Sequence, residues 1–370
     1  MKSINRFLVA TIFVSAIFST GCKKEEVVNP PQATFSTGQV IKTKIKDSVE
    51  IKVTRTGSSA FDNIWKIGND TVSVTDVFKH AFETAGTYTV AYTGKNSAGS
   101  ITQDFTVNVE AIIKEGGATA FVTTMFEYVP APGQFINKSP GNIESANGIL
   151  GKKNGLVTLG AWGGYIVLGF DHTVLNKEGN DIQVYGNAYT NWSEPGIVYV
   201  MQDENGNGKP DDTWYELKGS AFGTADYKTN YEITYTRPDS PDKDVPWSDN
   251  AGNTGFVKKN QSHKQAYFPE WITGNSYTLK GSWLKSKVNR TNPSYVTSPA
   301  YEWGYADDLA NASNGGKVNI SNAVDKEGNA KTLKGIDFIK IQTAVLDDGG
   351  WLGEVSTEVS GVEDLHFNKQ

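Results

Sequence analysis

Between Val49 and Val109 the apolar residues fall on every second position. VEIKV, GTYTVAYTG and ITQDFTVNV all alternate apolar with polar side chains. That period belongs to a strand buried on one face; a helix would bring its apolar residues round every 3.6. From Thr119 onward the runs FVTTMFEYV, LVTLGAW, YIVLGF, DIQVYGNA, GIVYVMQD, TWYELKG, NYEITYTR, KVNISNAV and IDFIKIQTAV read as further strands. No stretch combines helical period with caps, and 38 glycines supply turns. The chain is therefore predicted to be all-β. A first sandwich spans 33–110, EAIIKEGGA (110–118) links, and one larger β-sandwich or jelly roll spans 118–370.

The N-terminus has a different character. MKSINR is a short basic region and FLVATIFVSAIF an apolar one of signal-peptide length, too short to span a bilayer. STGC follows, and Cys22 is the only cysteine among 370 residues. This resembles the lipobox at which a bacterial leader is cut and the cysteine is lipidated. We expect a lipoprotein signal peptide over 1–21 and a tether of charge and Pro-Pro over 22–32, held to the membrane by lipid alone. No intrachain disulfide is possible with one cysteine. The acidic pair in KKEE resembles the surface-export signal of Bacteroidetes-like lipoproteins, which implies the outer face of the outer membrane. The net charge of −6 argues against nucleic acid as a partner.

Two resemblances add to this reading. VFKHAFETAGTYTVAYTGKNSAGS resembles the polycystic-kidney-disease (PKD) repeat, an immunoglobulin-like sandwich. Trp65, His80, Phe82, Gly86, Tyr88, Val90, Asn96 and Gly99 fall on its pattern, while KIGND replaces the usual glycine-rich turn. The family implies a spacer or adhesion module, and His80 is read as structural. The run from LVTLGAWGGYIVLGFD to MQDENGNGKPDDTWYELKGS resembles secreted bacterial β-sandwiches of the galactose-binding or discoidin type. In that pattern Gly163 and Gly164 mark a tight strand start, Asp171 closes the strand, Asp181 and Asn187 flank the next, and Glu194-Pro195 opens another. Together with EYVPAPGQFIN, the layout is similar to the surface lipoproteins of corrinoid (vitamin B12) uptake loci. It implies corrinoid capture and transfer to a TonB-dependent outer-membrane transporter.

One loop has the spacing of a cation site. Asp203, Asn205, Asn207, Gly208 and Asp211 form D-x-N-x-N-G-x-x-D, with alternate oxygens and a glycine for the sharp turn. Trp214 stands where a bidentate Glu belongs, so Asp212 or Glu216 has to compensate. We expect weak, structural calcium binding; the alternative is a hairpin connection built from turn-forming residues.

Catalysis is not expected. His80, His172, His263 and His366 lack metal-ligand spacing, and no nucleophile motif is present. Adjacent acids such as Asp307-Asp308, Asp347-Asp348 and Glu363-Asp364 read as solvated loop residues. Eight of nine tryptophans lie in the second unit. Trp162, Trp214 and Trp351 sit in or beside strands and read as core. Asp239 to Tyr301 reads as long aromatic-lined loops. Tyr189, Trp192, Trp247, Trp271 and Trp303 are the candidates for a ligand platform, of which one or two are expected to carry the contact, since flat rings in loops offer contact area at low entropic cost. The expected function is a surface-anchored binding lipoprotein for a bulky nutrient, a corrinoid or a glycan. A carbohydrate-binding adhesin and a glycan-active enzyme are the rivals.

Overall fold

The computed structural model describes residues 27–313 and 315–367. The leader and Cys22 lie outside them. The chain divides into two compact units, the larger taking in Lys42–Asp47 and Ala81–Thr87 together with everything described from Asn108 onward.

In the N-terminal unit one sheet orders Ala33–Phe35, Ser48–Arg55 and Val77–Ala81. A second orders Val40–Lys44, Gly99–Glu110, Gly86–Asn96, Asp62–Ile67 and Asp70–Ser73. The alternation read from sequence appears directly as burial. In Ser48–Arg55, Val49, Ile51 and Val53 are buried while their neighbours are exposed. Trp65 is fully buried, its ring 4.6 Å from Tyr92 and its Nε1 donating to the Thr75 carbonyl at 3.1 Å. His80 is half-buried, 6.1 Å from the Phe78 ring.

The larger unit centres on a six-stranded antiparallel sheet. Its order is Ala323–Val324, Tyr215–Leu217, Gly196–Met201, Gly335–Thr343, Tyr165–Leu175, Thr124–Val129. Ile166, Leu168, Val198, Val200, Ile339 and Ile341 project from one face into the main core. Opposite them are Ile182, Val184, Val318 and Val362 from the sheet Lys317–Val318, Ile182–Tyr185, Gly361–Asp364, and Val157 and Val359 from the pair Val157–Thr158, Glu358–Val359. Gly196–Met201 is buried at every position, because its other face is covered as well. A four-stranded sheet ordered Thr254–Val257, Val245–Asp249, Tyr227–Thr236, Ser276–Leu284 lies on that side, with Ser282 N bonded to Tyr199 Oη and Gln342 Nε2 to Lys280 O. The double glycine of GAWGGY is required by packing. Gly163 has φ +87°, and a Cβ on Gly164 would collide with the Leu159 carbonyl oxygen.

Three expectations change. The segment 239–301 is not a set of loops: three of the four strands of the outer sheet come from it. Alternation there is masked by Pro, Ser and Gly, whereas cross-strand pairing with Tyr227–Thr236 supplies the order. Asp171 does not close its strand, which runs to Leu175 past a register shift between Gly169 and Val174. Trp351 is 64% exposed rather than core, because it sits in the 3-10 turn Gly350–Leu352. No described helix is long and apolar enough to cross a membrane.

Candidate functional site

The chain after Tyr185 makes the site. Tyr189 and Trp192 exchange backbone hydrogen bonds (3.0 and 3.1 Å), which folds AYTNW into a tight hairpin with Thr190 and Asn191 at its tip. Tyr189 is 72% exposed and Trp192 half-buried. Two residues later Glu194 enters the interior, fixed by its own N–H to Asp307 O at 3.0 Å. Gly196 and Ala306 exchange backbone bonds at 2.9 Å, so the two chains run side by side and bring the Glu194 and Asp307 side chains together. Glu358 arrives from the Glu358–Val359 strand.

Glu194, Asp307 and Glu358 are all buried, and one oxygen of each lies within 4.8 Å of the others. Backbone donors aim them. Asp307 Oδ1 accepts from Asn187 N and Ala188 N, both at 2.8 Å, and Oδ2 from Glu358 N at 2.9 Å. Glu194 Oε1 accepts from Ser356 N at 2.9 Å. Asp307 adopts φ +48°, a conformation uncommon outside glycine. Burial, then the neighbouring acids, pushes Glu194 and Glu358 well above the ordinary carboxylate range. Burial raises Asp307 too, against its three backbone donors.

Above this cluster is a cavity of about 410 Å³, lined by Tyr189, Trp192, Asn187, Gln134, Glu194, Glu358 and a fourth acid, Glu354. Glu354 Oε1 accepts from Gln134 N at 2.8 Å, and Gly133 leaves it room that a Cβ would fill. Burial raises its pKa to about 8. None of the residues lining this cavity is basic.

Of the five expected platform residues, only Tyr189 and Trp192 share this cavity. Trp303 is 44% exposed and lines a separate cavity of about 320 Å³ with Asp308. Trp247 lies in the strand Val245–Asp249, its indole filling the space that Gly255 leaves open. Trp271 is half-buried, 5.8 Å from the Tyr128 ring. Trp247 is turned toward protein by the outer-sheet strand it belongs to, whereas Trp271 lies in a turn and packs onto the main core from there. Asp307 and Asp308 are not solvated loop residues: each is 1% exposed. Asp308 Oδ1 accepts from Ser193 Oγ and Tyr301 N, and its side chain lines the other cavity. An adjacent acid pair carries no local sign of burial, so sequence reasoning missed it; the nearby EP and DD pairs flanking the glycine-rich segments were the available signal.

The loop 202–214 connects Gly196–Met201 to Tyr215–Leu217. Asp203 is 1% exposed; it accepts from Asn207 N at 3.0 Å and Gly208 N at 2.9 Å. Gly206 and Gly208 take φ +67° and +74°. Asn205 and Asn207 donate their amides to Asp211 and Asp212 at 3.0–3.1 Å. Asp212 also accepts from Glu204 N. The donor set is all oxygen, as calcium requires. Lys114 already places its ammonium 2.8 Å from Asp203 Oδ2, so the loop carries a cationic group of the protein's own. Trp214 is half-buried against the protein.

His172 is buried between Asp171 (2.8 Å) and Asp364 (3.1 Å), His366 lies 3.2 Å from Asp181, and His263 packs 4.8 Å from the Phe135 ring.

The model of the PKD domain family matches residues 34–109. No curated protein matches the chain. Among solved structures, the PKD domain of human KIAA0319 is 16% identical over 27% of this chain and 98% of that one, with a TM-score of 0.20. A quinonprotein alcohol dehydrogenase-like protein from Bacteroides thetaiotaomicron is 10% identical over 62% of this chain and 49% of that one, with a TM-score of 0.21. At such TM-scores neither likeness bears on the site. Residues 34–109 are thus a PKD domain at the N-terminal end of an all-β chain.

Proposed function

We propose that this chain is a lipid-anchored surface protein whose larger unit captures a neutral, hydroxyl-rich ring ligand in the cavity under Tyr189 and Trp192. The observation that carries this reading is the pairing of the Tyr189 and Trp192 rings with carboxyl and amide groups in a cavity that Phe135, Pro140, Leu156 and Leu352 also line and that no basic residue enters. An aromatic face accepts the C–H side of a sugar ring, while carboxylate and amide oxygens accept its hydroxyl protons. An anionic ligand would find no basic residue to pair with. At about 410 Å³ the cavity falls in the lower half of the range of roughly 300–1,000 Å³ usual for small-molecule sites. It takes a sugar ring whole; a corrin macrocycle would enter only by its edge. Lipidation at Cys22 would hold the protein at the membrane, and transfer to a TonB-dependent outer-membrane transporter is the step we propose after capture.

The test is calorimetric titration of the mature chain, from Lys23 onward, with neutral oligosaccharides and separately with cyanocobalamin. Neutral glycans are expected to bind, with affinity at least tenfold weaker in Tyr189→Ala and Trp192→Ala and unchanged in Trp303→Ala. Binding of cyanocobalamin alone would keep capture and make the ligand a corrinoid. Release of cleaved product would turn the reading to a glycan-active enzyme. Silence toward both ligands at protein well above micromolar would overturn it.

A further inference from the structure

We infer that Glu194, Asp307 and Glu358 form a site for a hard divalent cation, of which calcium is the best match, at the floor of this cavity. Glu194, Asp307 and Glu358 converge within 4.8 Å in a buried place; Glu194 and Glu358 line the cavity, and no lysine or arginine lines it with them. Three acids buried this close either keep their protons or ionise together around something positive. A fourth group points independently to a ligand. Glu354 is 4% exposed and lines the same cavity, and its Oε2 has no hydrogen-bond partner. A buried carboxylate oxygen left open is rare in proteins and asks for a partner that the chain does not supply.

The carboxylates are also held as metal ligands usually are. Backbone N–H groups of Asn187, Ala188 and Glu358 fix Asp307, and Ser356 N fixes Glu194. Such outer contacts orient ligating oxygens. All the donors are oxygen, and no His or Cys joins Glu194, Asp307 and Glu358. That excludes a soft-metal preference and suits calcium, which accepts six to eight oxygens in flexible geometry. The cavity leaves remaining positions to water or to hydroxyls. The inference concerns the ion alone and stands whether or not the cavity takes a sugar.

The experiment strips the mature chain with chelator and titrates it with calcium chloride, reading heat, melting temperature and tryptophan fluorescence. We expect a melting-temperature rise of roughly 5 °C at saturating calcium, and a fluorescence change because Trp192 lines the same cavity as Glu194 and Glu358. Glu358→Gln and Glu194→Gln keep the shape and remove charge. Each should melt no lower than the stripped parent and lose at least tenfold in calcium affinity. A variant that merely breaks a structural contact would melt lower instead. If one of the two does not fold, the other serves. Asp211→Asn separates this site from the 203–212 loop and should leave the response intact. No response to calcium in the parent would overturn the inference. So would a response that survives both glutamine variants and vanishes in Asp211→Asn.

Discussion

Two acidic regions of the larger unit solve the same electrostatic problem differently. In the 203–212 loop the acids lie within ten residues of one another, Glu204 and Asp212 are half-buried and Asp211 exposed, and the one buried member, Asp203, has the Lys114 ammonium at 2.8 Å. In the Tyr189–Trp192 cavity the acids come from segments far apart in the chain, all are buried, and no basic side chain lines the cavity with them. The first region is neutralised from within the protein. The second is set up to be completed by something else. A cation motif in sequence thus marks spacing, whereas the stronger demand for a cation arises where the fold brings distant acids together and withholds a base.

The comparison breaks most readily at Asp307. Asp307→Ala orphans the N–H groups of Asn187, Ala188 and Glu358, of which the last is buried. At about 1–3 kcal/mol for a buried orphan, less for those that water reaches, the larger unit should lose about 3 kcal/mol, a fall in melting temperature of roughly 10 °C. Thermal unfolding followed by circular dichroism measures it. A loss below about 1 kcal/mol would mean that backbone donors do not fix this carboxylate. Lys114→Ala comes next. It leaves Asp203 buried without its ammonium, but Lys114 is a third exposed, so the cost should be about 2 kcal/mol rather than the 3–5 of a fully buried pair. If the loop holds calcium, adding the ion should recover much of that loss in Lys114→Ala; if it is a plain hairpin connection, calcium will leave the loss as it is.

Legibility follows the same division. Strands such as Ser48–Arg55 were readable because one face repeats locally. The Asp203 loop was readable because its contacts span a few residues. Trp247 was misplaced as a loop ring because the outer sheet depends on pairing between Tyr227–Thr236 and strands up to about fifty residues away, which no local pattern announces; Trp271 does lie in a turn, but half-buried. Tyr189 and Trp192 do lie in a loop, where they close the hairpin whose tip is Thr190 and Asn191. Glu194 was noticed only as a strand opener, and Asp307 only as half of an acid pair, because what makes them a site is the Gly196–Ala306 backbone bridge and the approach of Glu358. Pairing of distant segments is set by the whole core, so the cluster could not be assembled from spacing.

His172 sharpens the contrast with a third way to neutralise buried acids, one that depends on pH. Burial pushes its pKa down, but hydrogen bonds to Asp364 and Asp171 more than offset this and hold it above the ordinary value of 6.5. The folded state therefore binds the proton more tightly than the unfolded one. Its contribution to stability is complete below pH 6.5 and is lost as pH rises through the folded value. Unfolding in urea across that range should show stability falling with pH in the parent and a flatter profile in His172→Gln, with a smaller effect than Lys114→Ala. Equal slopes in both proteins would remove His172 from the comparison.

The smallest effect is expected in the loop itself. Asp211 is exposed, and the amides of Asn205 and Asn207 hold its pKa below the ordinary value. Asp211→Asn exchanges one acceptor for an amide that still offers an oxygen, in a place that water reaches, so without calcium the melting temperature should move by roughly 1 °C or less. The informative quantity is the difference between calcium and chelator. If the loop binds the ion, Asp211→Asn removes an oxygen charge from its shell and reduces only that part of the calcium response which Lys114→Ala enlarges. If the loop is a hairpin connection, Asp211→Asn and the parent respond alike. Whatever response then remains belongs to the acids of the cavity, where Asp211 has no part.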